Sequence, residues 1–175
     1  VSRVDKTAIV RAAEEVVREK GARKLTLDAV AAQCGLSKGG LIHHFGTKQS
    51  LLKAMLEAAI AREDANAETF AAAGDDLLVS RLNSIFELME DDEGLPRSLI
   101  AAVAEDPALL EPVKVKEDEL RSEISETYAD PELAQLLILA AQGMFLGRVL
   151  GVIEPGDPLL ARLRERLLML SADLT

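Results

Sequence analysis

The stretch TLDAVAAQCGLSKGGLIHHFGTKQSLL, Thr26 to Leu52, constrains the fold more than any other part of the chain. Thr26 is placed to cap a helix by accepting a backbone N–H, with Leu25 and Val30 as a hydrophobic staple across the cap. Asp28 suits the positive end of that helix dipole. Ala29, Val30 and Ala31 allow close helix packing. Cys34-Gly35-Leu36 supplies the stop, because Gly35 is free to turn left-handed. Ser37 then repeats the capping pattern with Leu36 and Leu41 as its staple, so a second helix begins two residues after the first ends. The pattern predicts a helix-turn-helix.

Several features of the second helix have no structural purpose of their own. Gly39 and Gly40 occupy its first turn, where each costs about 1 kcal/mol against alanine. Side chains removed at a helix N-terminus let another backbone approach, and the free N–H groups there bind phosphate oxygens. Lys38 shares that turn, and Lys48 follows Thr47, the expected cap of the next helix. Both cations sit at the positive end of a dipole, which is unfavourable by about 0.3–1 kcal/mol unless an anion is shared. DNA phosphate is the expected anion.

The overall charge of −10 argues against nucleic acid until its distribution is considered. Between Val1 and Lys53 ten Lys and Arg, Arg3 and Arg23 among them, stand against five acids, so this part carries +5 and the rest −15. A basic head on an acidic body is the expected organisation, divided into residues 1–53 and 54–175.

These residues are similar to a known family. The run Ser37-Lys38-Gly39-Gly40-Leu41-Ile42-His43-His44-Phe45-Gly46-Thr47-Lys48, after Thr26-Leu27-Asp28-Ala29-Val30-Ala31 and Cys34-Gly35-Leu36, resembles the DNA-binding segment of TetR-family transcriptional regulators. The resemblance covers about the first third of the chain. It implies base reading by Lys38, Gly39, Gly40, Ile42 and His43. It implies phosphate anchoring by Thr26, Ser37, His44, Thr47 and Lys48. Ile42 stands where the family usually carries tyrosine, and His44 where it commonly carries another aromatic.

Beyond the motif the chain reads as all-α, with about nine helices. Hydrophobic residues make up 49% and aromatics only 3%, so the core must be aliphatic. Ile9, Ala12, Ala13, Val16 and Val17 mark one face of a first helix that completes a three-helix head. A long helix after Thr47 runs to about Ala73 and links head to body, followed by helices from Asp76 to Asp91 and from Leu95 to Ala104. Pro107 and Pro112 are expected to interrupt the chain before a helix from about Val113 to Tyr128. The last two helices run from Pro131 to about Val152 and from Pro158 to Asp173. The first carries Gly143, Gly147 and Gly151 on one stripe, and the second repeats Leu160, Leu163, Leu167 and Leu170. Small residues and leucines at these spacings predict a helical homodimer interface.

The resemblance further implies a pocket for a small-molecule effector among the middle helices. Its candidates are Phe70, Leu82, Phe86, Met89, Ile100, Val103, Tyr128, Met144 and Phe145, with Arg81, Asn83, Gln142 and Arg148 as polar handles. The function so implied is a homodimeric, ligand-responsive regulator, most simply a repressor of a palindromic double-stranded DNA operator. The alternative is a dimeric helical interaction protein that does not read sequence.

Other classes are disfavoured. No Gly-rich nucleotide loop, metal-ligand cluster or activated nucleophile is present, so no enzyme, cofactor or metal is expected. His43 and His44 are adjacent and point about 100° apart, which does not suit one metal. Cys34 is the sole cysteine, which excludes an intrachain disulfide and fits a cytoplasmic location. The apolar run from Leu133 to Ile153 reaches the length of a membrane span, yet Gln135, Gln142 and Arg148 interrupt it and acids flank it, so a helix buried between protein surfaces is expected. Val1 is not methionine, so the start is expected to be trimmed, with a basic arm ahead of it.

Overall fold

The computed structural model describes residues 5–21, 24–90 and 106–174. These form eight α-helices: α1 Lys6–Lys20, α2 Leu27–Cys34, α3 Lys38–His44, α4 Lys48–Ala72, α5 Leu77–Glu90, α6 Glu111–Thr127, α7 Pro131–Leu150 and α8 Pro158–Ala172. A 3-10 turn, Pro107–Leu110, precedes α6, and no strand occurs among the described residues. The architecture is all-α, as composition and periodicity predict. The described residues cluster into two compact units, one of residues up to 60 with 106–113, the other of 61–90 with 114–174. The expected helix from Leu95 to Ala104 lies outside the described residues.

The first unit has an aliphatic core. Ile9, Ala13 and Val16 of α1, Val30 of α2, Leu41 of α3 and Leu51 of α4 are completely shielded from solvent. Asp5 caps α1 by accepting the Ala8 N–H at 2.8 Å. Each fully buried aliphatic side chain contributes about 1.5–3 kcal/mol, so the helical spacing read from α1 supplies a large part of what holds α2, and α2 in turn packs against α3.

In the second unit α5 packs against α7 and α8, with Leu78, Leu82, Ile124, Ala134, Ile138 and Ala141 at its centre. A buried tyrosine closes one end. The Tyr128 hydroxyl donates to Asp76 Oδ1 at 3.0 Å and accepts the Leu78 N–H at 2.8 Å, while Asp76 also accepts the Val79 N–H. Two of the free N–H groups at the start of α5 are thereby satisfied. Burial, with the Asp76 carboxylate beside it, pushes the Tyr128 phenol up to about 12.

The part of α4 within this unit is fastened by an ion cluster. Arg81 Nη1 lies 2.6 Å from Asp64 Oδ1 and 3.1 Å from Glu63 Oε2, and Lys116 Nζ lies 2.7 Å from Asp64 Oδ1. The Ser84 hydroxyl donates to the Glu63 carbonyl at 2.7 Å. The two acids differ in their balance. Burial is the largest influence on each and raises the Glu63 carboxyl above its ordinary range, whereas for Asp64 it is outweighed by the hydrogen bonds and charges of Lys116 and Arg81.

Two local features differ from expectation. Pro112 does not interrupt the chain but lies in the first turn of α6, where its missing N–H has no helical acceptor to lose. The glycine stripe of α7 is partly used within the chain. Gly151 is the left-handed cap at φ 72°, and a Cβ on Gly147 would meet the Ile153 side chain at 2.7 Å as the chain folds back. Gly143 alone faces open space.

At pH 7, Asp64→Asn is expected to destabilise this unit by about 1–3 kcal/mol, because two charge-assisted hydrogen bonds are lost, whereas Glu63→Gln should cost less than about 1 kcal/mol. The Asp64 contribution is present above the ordinary carboxylate range and falls away as pH drops through its lowered pKa. Urea unfolding at pH 7 and in acid measures both effects, and an equal or larger loss for Glu63→Gln would contradict the assignment.

Candidate nucleic-acid interface and cavity

The geometry of α2 and α3 follows from three local contacts. Thr26 Oγ1 accepts the Ala29 N–H at 3.1 Å, and Ser37 Oγ accepts the Gly40 N–H at the same distance. Between them Gly35 holds φ 67°, ψ 24°, and the Leu36 N–H reaches back to the Ala31 carbonyl at 2.9 Å. The next cap is reciprocal. Ser50 N–H donates to Thr47 Oγ1 at 3.0 Å, and Thr47 N–H donates to Ser50 Oγ at 3.3 Å.

This frame sorts the side chains of α3. Leu41 and the following Phe45 are buried, which directs Ile42 and His43 outward and leaves His44 half-buried. Ile42 is 44% exposed, high for an aliphatic side chain on a short helix. Thr26, Ser37, Lys38, Gly39, Thr47 and Lys48 are also exposed, and Gly40 is half-buried. Neither glycine is demanded by packing. A Cβ on Gly39 would come no closer than 4.0 Å to any neighbour, and one on Gly40 would make an ordinary 3.4 Å contact.

One expectation is corrected. Lys38 does not need an external anion to sit at the start of α3, because Asp28 Oδ2 of α2 lies 3.0 Å from its Nζ. Both side chains are more than half exposed, so the pair is weak and readily exchanged. Cys34 is half-buried, and burial, followed by the nearby Glu15 charge, raises its thiol pKa. A thiol of that kind is a poor nucleophile at neutral pH.

In the second unit a cavity of about 470 Å³ is lined by Phe86, Met89 and Glu90 of α5, Met144 and Arg148 of α7, Pro155, Gly156 and Asp157, and Pro158, Leu160, Ala161 and Arg164 of α8. It gathers three of the expected pocket residues, Phe86, Met89 and Met144, and one polar handle, Arg148. Leu82 is buried in the core, Tyr128 is engaged at the start of α5, and Phe70 and Phe145 are half-buried away from this lining. Ile100 and Val103 lie outside the described residues. Arg81 belongs to the ion cluster, Asn83 donates to Asp75 at 2.9 Å, and Gln142 donates to Glu117 at 2.5 Å. Glu90, Arg164 and the Pro155–Pro158 turn also line it and were not among the expected pocket residues, since nothing in their spacing ties them to Phe86 and Met89.

The expected seam also divides. Leu160, Leu167 and Leu170 pack toward the unit's own core, while Leu163 is exposed. An outward apolar band is carried instead by Leu136, Leu139, Leu146 and Leu150 of α7 with Leu159 and Met169 of α8. By length and composition alone α7 could cross a membrane, but Ala134, Leu137, Ile138, Ala141 and Met144 face the core.

Comparisons with known proteins place this geometry. The profile described as "Bacterial regulatory proteins, tetR family" matches residues 9–55, and "Tetracyclin repressor-like, C-terminal domain" matches residues 77–172. The regulator UidR of Escherichia coli (strain K12) is 36% identical over 61 residues, covering 33% of this chain and 31% of UidR. The regulator CymR of Pseudomonas putida is 32% identical over 110 residues, 61% of this chain and 54% of CymR. The matched stretches therefore span about half or less of these relatives' own length. Among solved structures, a transcriptional regulator from Rhodococcus sp. Rha1 aligns with TM-score 0.72 at 20% identity, covering 98% of this chain and 96% of that one, a likeness of fold. The multidrug binding protein EbrR, complexed with imidazole, aligns with TM-score 0.67 at 27% identity, covering 97% and 96%. The relatives named as regulators are not enzymes.

Since no neighbour uses the absent side chain of Gly39, Gly39→Ala should stabilise the chain by up to about 1 kcal/mol through helix propensity. A raised thermal midpoint checks this, and a lowered one would reveal an internal role for the glycine.

Proposed function

Because the chain belongs to the TetR family of bacterial regulatory proteins, we propose that it is a cytoplasmic, homodimeric repressor that holds a palindromic operator and leaves it on binding a small molecule. The observation that carries the proposal is the outward face of α3. Lys38, Gly39, Ile42 and His43 are exposed on a helix whose own folding needs none of them.

Base reading falls to Lys38, Gly39, Gly40, Ile42 and His43. Ile42 suits a thymine methyl and Lys38 a guanine edge, each good contact giving about 1–3 kcal/mol of discrimination. Phosphates fall to Thr26, Ser37, His44, Thr47 and Lys48. The three hydroxyls accept backbone N–H groups in the caps, and each keeps its own O–H to donate to a phosphate oxygen. Lys38 exchanges Asp28 for DNA on binding.

Dimerisation uses the outward band of α7 and α8, which is more apolar than a lone chain in water favours. Leu136 and Leu139 are more than half exposed and lie on one face with Gly143, whose missing side chain meets nothing in its own chain. Two-fold symmetry then sets two α3 helices into successive major grooves about 34–36 Å apart. The effector acts through α4, which is one helix from Lys48 to Ala72 and is held in the second unit by Glu63 and Asp64. A small molecule that favours one state of that unit lowers operator affinity by its differential affinity for the two states. EbrR, a multidrug binding protein of similar fold, supports the presence of such an effector.

Selection of bound sequences from random DNA should enrich a palindrome with half-sites one helical turn apart. Lys48→Ala should then lower the salt slope of operator binding by about 1. Equal, weak affinity for every duplex would exclude a repressor and favour a helical interaction protein that does not read sequence. Independently, Leu139→Glu should shift the chain from dimer to monomer in sedimentation equilibrium; an unchanged dimer would move the interface elsewhere.

A further inference from the structure

The cavity of the second unit is apolar on most sides, but its charges are not evenly matched. Arg164 is neutralised within the chain, with Nη1 3.0 Å from Glu90 Oε1 and its guanidinium 5.1 Å from the centre of the Phe86 ring. Asp157 is occupied in capping α8, where its carboxylate accepts the Leu159 N–H at 2.8 Å. Arg148 differs from both. It is half-buried, and among the described residues its guanidinium makes only a 3.4 Å hydrogen bond to the Met89 carbonyl. A guanidinium carries five donors in a planar fork, and among the described residues no carboxylate pairs with this partly buried one.

We propose that this cavity takes an apolar monocarboxylic acid, its carboxylate paired with Arg148 and its hydrocarbon part against Phe86, Met89, Met144 and Leu160. The proposal rests on the effector-responsive function above and names the effector's class. A carboxylate matches the guanidinium fork with two parallel hydrogen bonds, which an alcohol or an amine cannot do. A single negative charge is also the limit. Glu90 and Asp157 line the same cavity, so a dianion such as a phosphate monoester would meet two carboxylates with one uncommitted cation to balance it. The volume of about 470 Å³ lies within the usual range for small-molecule sites and admits a medium-length chain or a fused aromatic ring.

The test is calorimetric titration of the full chain with decanoate below its micellar concentration and with 2-naphthoate, each compared with its uncharged counterpart, decan-1-ol or 2-naphthol. Both acids should bind at least tenfold more tightly than their counterparts. Arg148→Met, which keeps the length of the side chain, should remove that tenfold preference and leave binding of the uncharged molecules unchanged. Equal binding of acids and uncharged counterparts, undiminished acid binding in Arg148→Met, or no binding of either acid at millimolar concentration would each overturn the proposal. If Arg148→Met does not fold, the comparison on the unaltered chain decides alone. Operator binding measured in parallel separates the two claims: a chain that holds an operator but ignores the acids keeps its regulatory role and loses this effector class. A chain that binds the acids but no operator does the reverse.

Discussion

The left-handed turn at Gly35 is the constraint on which the exposed face of α3 depends. At φ 67° a side chain is strained, and a glycine lets the Leu36 N–H return to the Ala31 carbonyl while Ser37 starts the next helix at once. With no slack between the two helices, burial of Val30 and Leu41 sets the rotation of α3 as well as its position. Ile42 and His43 then point outward because Leu41 and Phe45 point inward. The outward face of α3 is thus a by-product of packing on the opposite side.

That logic explains why the first unit was legible in sequence. Caps, stops and staples act over three to five residues, and Thr26, Gly35, Ser37 and Thr47 each do locally what their chemistry predicts. The Lys38–Asp28 pair was not legible, because the two residues lie ten apart on different helices and meet only once the turn between them is formed. It also alters the meaning of Lys38. Its placement at a positive helix end is compensated within the chain, so the paired glycines, which no neighbour requires, are the better sign of an external backbone.

The second unit shows where periodicity stops being informative. Leu160, Leu163, Leu167 and Leu170 form a seam by spacing, but spacing identifies an apolar face without saying what covers it. On α8 most of that face is used by the unit's own core. On α7 apolar residues surround the helix, so after Ala134, Leu137, Ile138 and Ala141 enter the core a second band remains outside. Gly147 carries the same lesson. Its close approach is to Ile153, six residues on, brought back by the left-handed cap at Gly151.

The charges of the two units divide along the same lines as their tasks. The first carries its described cations on its surface, and its Lys38–Asp28 pair is exposed. The second keeps several of its cations partly buried and paired. Arg81 and Lys116 share Asp64, and Arg164 is paired with Glu90. Shielded pairs such as Arg81–Asp64 resist loss of either partner far more than exposed ones such as Arg164–Glu90 do. Against that background Arg148 stands out as a cavity cation whose one partner among the described residues is the Met89 carbonyl at 3.4 Å. An anion entering there would complete the second unit's pairing next to Met89 and Glu90, at the end of the same α5 whose Arg81 grips α4. The site that lacks a charge and the helix that joins the two units are therefore linked through one continuous element, α5, from Leu77 to Glu90.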